Sequence, residues 1–433
     1  MFIALASPPA GLVILMFVAP LSQFAHLDIP LGGGVPDLSL SRLAAGFLSM
    51  LLVAQIGAGQ RAWVRLRALD IALLAAMVGI GFSLARSVTP LKTSQVFFDS
   101  YLIPVLVYFL ARNLIRDRQW LDAAKFALVL AGLYVSALII YEHFTGQALL
   151  APEGDFANRY SQNLARSTAV FGNSAVSGAF LAMIFPITLS FLVVSPSPRV
   201  KLFLALTLPL IGLGLFFTYT RAAWLSTLVA LIVLQFFIPG LRRFLLPALA
   251  LGVLVAIAFQ GDLMSNPIFT ERISSEGPIQ GRLSLLDLGL RFFMDEPLFG
   301  IGFDNFRNYT LALGTTEIIN THNSFMFILV SSGLVGLLPY LAGFALICKE
   351  AVKGARWLAA RGEVHLLAPL WVALICYLAN ALVIDMVSAP YLNMVLFFLV
   401  GSHIGLLDGL RARQRPSEGR LAWAMATRLP ASV

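Results

Sequence analysis

THNSFMFILVSSGLVGLLPYLAGFALI, residues 321–347, carries no Lys, Arg, Asp or Glu, and the next charge is Lys349. About 20 apolar residues of helix cross the roughly 30 Å of bilayer hydrocarbon, so the stretch has the length and character of a membrane span. Its head holds a histidine, an asparagine and two hydroxyl residues, where a helix leaving the hydrocarbon would meet water. Working outward, apolar runs recur near 8–27, 38–58, 68–86, 96–111, 120–143, 168–194, 201–219, 222–238, 244–260, 364–385 and 390–407. Of the 433 residues 59% are apolar and 12% charged, whereas soluble chains run roughly 45–50% apolar and about 25% charged. So few charges cannot cover so much apolar surface in water. The expected fold class is an all-α polytopic membrane protein with about 12 transmembrane helices.

Charge placement supplies an orientation. With the N-terminus inside, the segments facing the cytoplasm hold 20 of the 30 Lys and Arg and 7 of the 22 Asp and Glu. The outer segments hold the other 10 basic and 15 acidic residues. That asymmetry follows the positive-inside rule and places both termini in the cytoplasm. The formal charge of +8 is therefore an orientation signal, and no nucleic-acid partner is expected. The first basic residue is Arg42, so the first apolar run lacks the basic head of a cleavable signal and is expected to remain a span. Cys348 and Cys376 have no metal-ligand spacing and imply no disulfide framework.

Four regions follow: helices one to nine over 1–260, a large outer loop over 261–321, helices ten to twelve over 322–410, and a basic cytoplasmic tail over 411–433. The tail reads as disordered. The large loop reads as partly helical, because GRLSLLDLGLRFFMDEP puts Leu285, Leu286, Gly289, Phe292 and Phe293 at helical spacing before Pro297. FDNFRNYTLAL is a second short helix with Asp304 as its expected N-cap. A shorter outer segment covers about 144–167.

Ionisable residues at the membrane mark functional sites by default. Arg221, in FFTYTRAAWLS, begins a span at the outer face, where a guanidinium beside free helix N–H groups favours an anion. A snorkelling interfacial arginine is the alternative. Arg282 opens the amphipathic helix of the large loop, and Arg291, nine residues on, lies on the opposite face. The two cannot point at one ligand: Arg282 is the preferred one, and Arg291, a further candidate substrate-binding residue, reads as solvated or structural. His322 stands where the large loop enters a span; its imidazole suits general base work, or a capping role. His26, His143, His365 and His403 are isolated. No His pair has zinc spacing, no D-x-D occurs, and no phosphate-binding G-x-x-x-x-G-K-[ST] is present. The Gly300-Ile301-Gly302 stretch lacks a preceding strand and reads as a tight turn.

Together STAVFGNSAVSGAFLAMIFPITLS (167–190), TYTRAAWLS (218–226), GRLSLLDLGLRFFMDEPLFGIGFDNF (281–306) and THNSFMFILVSSGLVGLLPYL (321–341) resemble the O-antigen ligase family, in the superfamily it shares with O-antigen polymerases. The resemblance covers roughly 167–345. It implies a glycosyltransferase of the bacterial inner membrane, acting at the periplasmic face without a cofactor or metal. The implied donor is a glycan on undecaprenyl diphosphate and the implied acceptor is lipid A-core. By the family pattern Arg221 and Arg282 would bind the donor diphosphate and His322 would take the acceptor proton, with Asp385 matching an acidic residue near the last outer turn. A polymerase of the same superfamily and a twelve-span secondary transporter are the competing expectations.

Overall fold

The structure, a computed structural model, describes residues 2–22, 39–147, 166–243, 277–312 and 321–426, with isolated positions at 149, 245, 247, 261, 265 and 270. Among them every regular element is helical. The helices are α1 (Phe2–Ala6), α2 (Pro8–Ser22), α3 (Leu40–Gly57), α4 (Ala68–Phe82), α5 (Pro90–Phe97), α6 (Ile103–Leu114), α7 (Arg118–Thr145) and α8 (Ser174–Val194). They continue as α9 (Pro198–Phe217), α10 (Arg221–Phe237), α11 (Gly277–Asp295), α12 (Phe306–Ala312), α13 (Ser324–Ala359), α14 (Ala368–Ala381) and α15 (Pro390–Ala426). Nine helical stretches of the described residues have the length and composition to cross a membrane, and Pro8–Leu21 and Arg221–Phe237 are shorter apolar helices. Of the span expected at 244–260 only positions 245 and 247 are described, and most of the outer segment at 144–167 lies outside the described residues.

Polar contacts sort the helix ends into two groups. At one end Arg42 pairs with Asp99 at 2.6 Å and Ser100 donates to the Val387 carbonyl. At the other Arg67 reaches Glu350 at 3.2 Å, and Arg118 pairs with Glu363. Since each apolar helix runs from one group to the other, the bundle has two polar rims, called below the His322 end and the Arg67 end.

Small residues let the central helices meet by their backbones. Gly401, Gly405 and Gly409 stand four apart on α15, one face of the helix, against the backbone of α6 and of Arg116 just beyond it. A Cβ at Gly405 would lie 2.6 Å from the Arg112 carbonyl oxygen, so no side chain fits there. Pro104 precedes this contact in α6, and a π-helical turn over Phe98–Leu102 joins α5 to α6.

Helix α13 is not continuous. At Gly333 the backbone takes φ 61° and ψ −158°, which breaks the hydrogen-bond ladder. The loop after Pro297 fills the break: Leu334 and Val335 N–H donate to the Pro297 and Leu298 carbonyls at 3.0 and 3.1 Å. In return Ile301 and Gly302 N–H donate to Val330 and Ser331 carbonyls. Gly300 and Gly302, both at positive φ, form the tight turn read from the sequence. Phe303 beyond it is fully buried, packed edge-on against Phe97 and Phe327.

Two expectations need correction. The second loop helix begins at Phe306 and is preceded by Asn305, whose carbonyl accepts the Tyr309 N–H at 3.0 Å. Asp304 sits instead at φ 59°, since the chain must turn sharply out of the buried Phe303 position. The segment after Arg411, expected to be disordered, prolongs α15 to Ala426. Continuation of a helix already nucleated in the bundle, with Arg, Ala, Leu and Met as good helix formers, outweighs the breaking tendency of Pro416 and Gly419.

Candidate functional site

The head of α13 is fastened residue by residue to the turn between α14 and α15. Asp385, 3% exposed in that turn, accepts three hydrogen bonds from consecutive residues. They come from the Thr321 hydroxyl at 2.5 Å, the His322 N–H at 3.0 Å and the Asn323 N–H at 2.8 Å. Asn323 caps α13, its side-chain oxygen accepting from Phe325 and Met326 N–H, and its amide donates to the Leu382 carbonyl. Ser324 donates to the Ile384 carbonyl and accepts from Met386 N–H at 2.8 Å. Thus Thr321, Asn323 and Ser324 serve the architecture, while the His322 side chain is exposed. Its φ of 49° is uncommon for a residue with a Cβ and is enforced by the Asp385 bond. Burial pushes the Asp385 carboxyl above the usual carboxylate range; the Thr321 hydroxyl, the neighbouring His322 and the two N–H groups pull the other way.

Arg221 is the first residue of α10, as the sequence implies, and is half-buried. Among the described residues its guanidinium has no hydrogen-bond or ion-pair partner. Thr220 before it donates to the Ser174 carbonyl at 3.1 Å, tying α10 to the start of α8. Five residues into α10, Ser226 accepts a 2.9 Å hydrogen bond from the Asn380 amide of α14. Asn380 lies five residues before Asp385, so α14 carries the register from Arg221 to the His322 turn at the same end of the bundle.

A residue the sequence reading passed over joins this rim. Arg166 donates from Nε and Nη2 to the Thr218 carbonyl at 3.3 Å and from Nη2 to the Thr220 hydroxyl at 3.1 Å, directly before Arg221. Its loop is held as the His322 loop is: buried Glu142 accepts N–H bonds from Thr168 at 2.7 Å and Ala169 at 3.0 Å. The available signal was its position next to the quoted 167–190 stretch, at the end of a segment read only as loop.

Arg282 lies on α11, on the face of Gly289, since seven residues are close to two turns. A Cβ at Gly289 would meet the Met326 sulfur at 2.9 Å, and Phe292 packs with Val330, so α11 runs alongside the first turns of α13. Arg282 is thereby turned toward α13, roughly 10 Å along α11 from Gly289 and toward the rim that carries His322. Arg291 does not share this face. It pairs with Asp287 at 2.8 Å, and both side chains are well exposed.

The four non-glycine residues with positive φ among the described residues, Ala169, Tyr219, Asp304 and His322, all sit at this end, the first opening a short 3-10 turn and the others in loops. Backbone strain of this kind persists only where surroundings over-determine it, and it gathers at functional sites.

These observations define a helical membrane protein that presents an exposed imidazole on a strained, carboxylate-anchored loop, with Arg166 and Arg221 at the same rim. Comparison adds that residues 205–341, about a third of the chain, match the family model described as O-antigen ligase. The matched segment includes Arg221, Arg282, Arg291 and His322, and leaves Arg166 and Asp385 outside. Among curated proteins no match was found.

Proposed function

We propose that the protein is an O-antigen ligase, moving a glycan from undecaprenyl diphosphate to lipid A-core at the periplasmic face of the inner membrane. The observation that carries this reading is the His322 loop: three neighbours and Asp385 fix the backbone, leaving the imidazole as the group presented outward. In the proposed reaction an acceptor hydroxyl oxygen attacks the anomeric carbon as its proton passes to His322. The bond from that carbon to the phosphate oxygen breaks, and undecaprenyl diphosphate leaves with the electron pair. Arg221 and Arg282 neutralise the charge growing on the leaving group, the task a metal ion performs elsewhere. A base opposite the leaving group implies inversion. Asp385 is a positioning residue in this scheme, because its carboxylate is committed to the loop, and Arg291 binds no reacting group.

The same reading takes twelve spans, with the ninth over 244–260, both termini cytoplasmic and the 261–321 loop periplasmic. Secondary transport has one observation in its favour, the broken helix at Gly333, because transporters place ligands at such breaks. Here the freed backbone groups are taken up by the 297–302 loop, which favours an architectural break.

The test incubates purified protein with undecaprenyl-diphosphate glycan and, in parallel, lipid A-core or further donor. Glycan on lipid A-core supports ligase action, and lengthened donor identifies a polymerase instead. Absence of any new glycosidic bond in both arms rejects the proposal.

A further inference from the structure

The Arg67 end of the bundle, opposite the proposed active site, holds a cavity of about 660 Å³ lined by Arg65, Arg67, Arg112, Arg116 and Arg411, with Asp408 as its acidic lining residue. Two of these arginines are engaged. Arg67 pairs with Glu350 at 3.2 Å and with Asp408, and Arg112 with buried Asp70. Arg112 is 1% exposed, yet its Nε has no hydrogen-bond partner and lies 3.9 Å from Asp408. Arg65 and Arg116 have no carboxylate partner among the described residues, and Arg411 lies over the Trp357 ring at 5.3 Å. Even with Asp70 and Glu350 counted, three carboxylates face five guanidinium groups. Like charges converging on a shared hollow repel, and an anion in the hollow removes the repulsion.

The geometry points to a second binding site, for a phosphate-bearing anion, in this cavity. Guanidinium groups grip phosphate oxygens with paired hydrogen bonds, so several arginines around one hollow fit a phosphodiester or diphosphate. Two sources share that chemistry: an acidic phospholipid headgroup and a free phosphate compound. Trp63 lines the cavity and is 56% exposed, and Leu66 beside it is 55% exposed. An exposed tryptophan at a helix-bundle rim sits at headgroup depth, and basic pockets between membrane helices take lipid headgroups. The site is distinct from the rim bearing His322 and Arg221.

The test uses full-length protein in phosphatidylcholine nanodiscs, with cardiolipin titrated in one arm and inorganic pyrophosphate in the other. Retained lipid is read by native mass spectrometry and stabilisation by the thermal midpoint. The variants are Arg65→Gln with Arg116→Gln, each alone and together, which leave the Asp70 and Asp408 ion pairs untouched. Arg199→Gln with Arg243→Gln, at exposed positions outside the cavity, serves as control. At least one anion should raise the midpoint of wild type and control alike, with the double cavity variant needing tenfold more. Cardiolipin retention identifies the lipid source, and a pyrophosphate response alone identifies a soluble one. Equal response of all three proteins to both anions overturns the site, as does no response from wild type. Each single variant is compared with wild type should the double variant fail to assemble.

Discussion

His322 and Asp385 divide one task at the residue scale. The imidazole is exposed and makes no hydrogen bond through its ring among the described residues, so His322→Ala should leave the unfolding midpoint close to wild type. Transfer should fall by about 10²-fold or more, the usual worth of a positioned acid or base. Asp385→Ala removes the acceptor of three donors in a buried turn. Each donor left unsatisfied costs about 1–3 kcal/mol, so this variant should lose both stability and rate. A thermal melt beside an initial-rate assay separates the two. Equal stability losses for both variants would contradict the division. Arg221→Lys keeps the charge but not the paired N–H geometry, and should weaken donor binding more than acceptor binding, read as KM for each.

At the scale of elements, the α6–α15 contact depends on the absence of side chains. Gly405→Leu forces the two backbones apart and should destabilise by about 1–3 kcal/mol, the usual cost of overpacking. Gly46→Leu, where nothing lies within 4 Å, should not lower the midpoint in detergent. Gly333→Ala meets both a positive φ and the Leu298 backbone, and should loosen the 297–302 loop from α13. Protease nicking in that loop, faster than in wild type, checks it. The apolar runs were legible to within a few residues for most helices, because a span must be long and uncharged. The break at Gly333 was not, because an apolar run with Gly333, Gly336 and Gly343 looks the same whether the helix continues or stops. The backbone partner that decides it, Pro297–Gly302, lies some thirty residues away in sequence.

For the whole molecule, the two rims should face opposite sides of the membrane. With Cys348 and Cys376 replaced by Ala, a cysteine at Thr89 should react with an impermeant maleimide in spheroplasts with the outer membrane removed. A cysteine at Gln119 should react only after lysis; the reverse pattern would invert the orientation read from charge. The site was partly legible at this scale. Arg221 and His322 stand out as rare polar residues at span ends, Arg282 stands out at the head of the loop helix, and the fold brings the first two to one rim. Arg166 did not stand out, because its role depends on Thr218 and Thr220 across a turn. Asp385 read from the sequence only as an acidic residue near the last outer turn, because its three donors lie some sixty residues away in the 321–323 segment.

The central claim is metal-independent transfer from a lipid diphosphate with His322 as base. Its most direct test is the initial rate of glycan transfer to lipid A-core in excess EDTA, by wild type and His322→Ala in matched nanodiscs. The account predicts full wild-type turnover with chelator present and loss of at least about 10²-fold in the variant. Wild-type turnover that vanishes with EDTA, or a variant as fast as wild type, would contradict it.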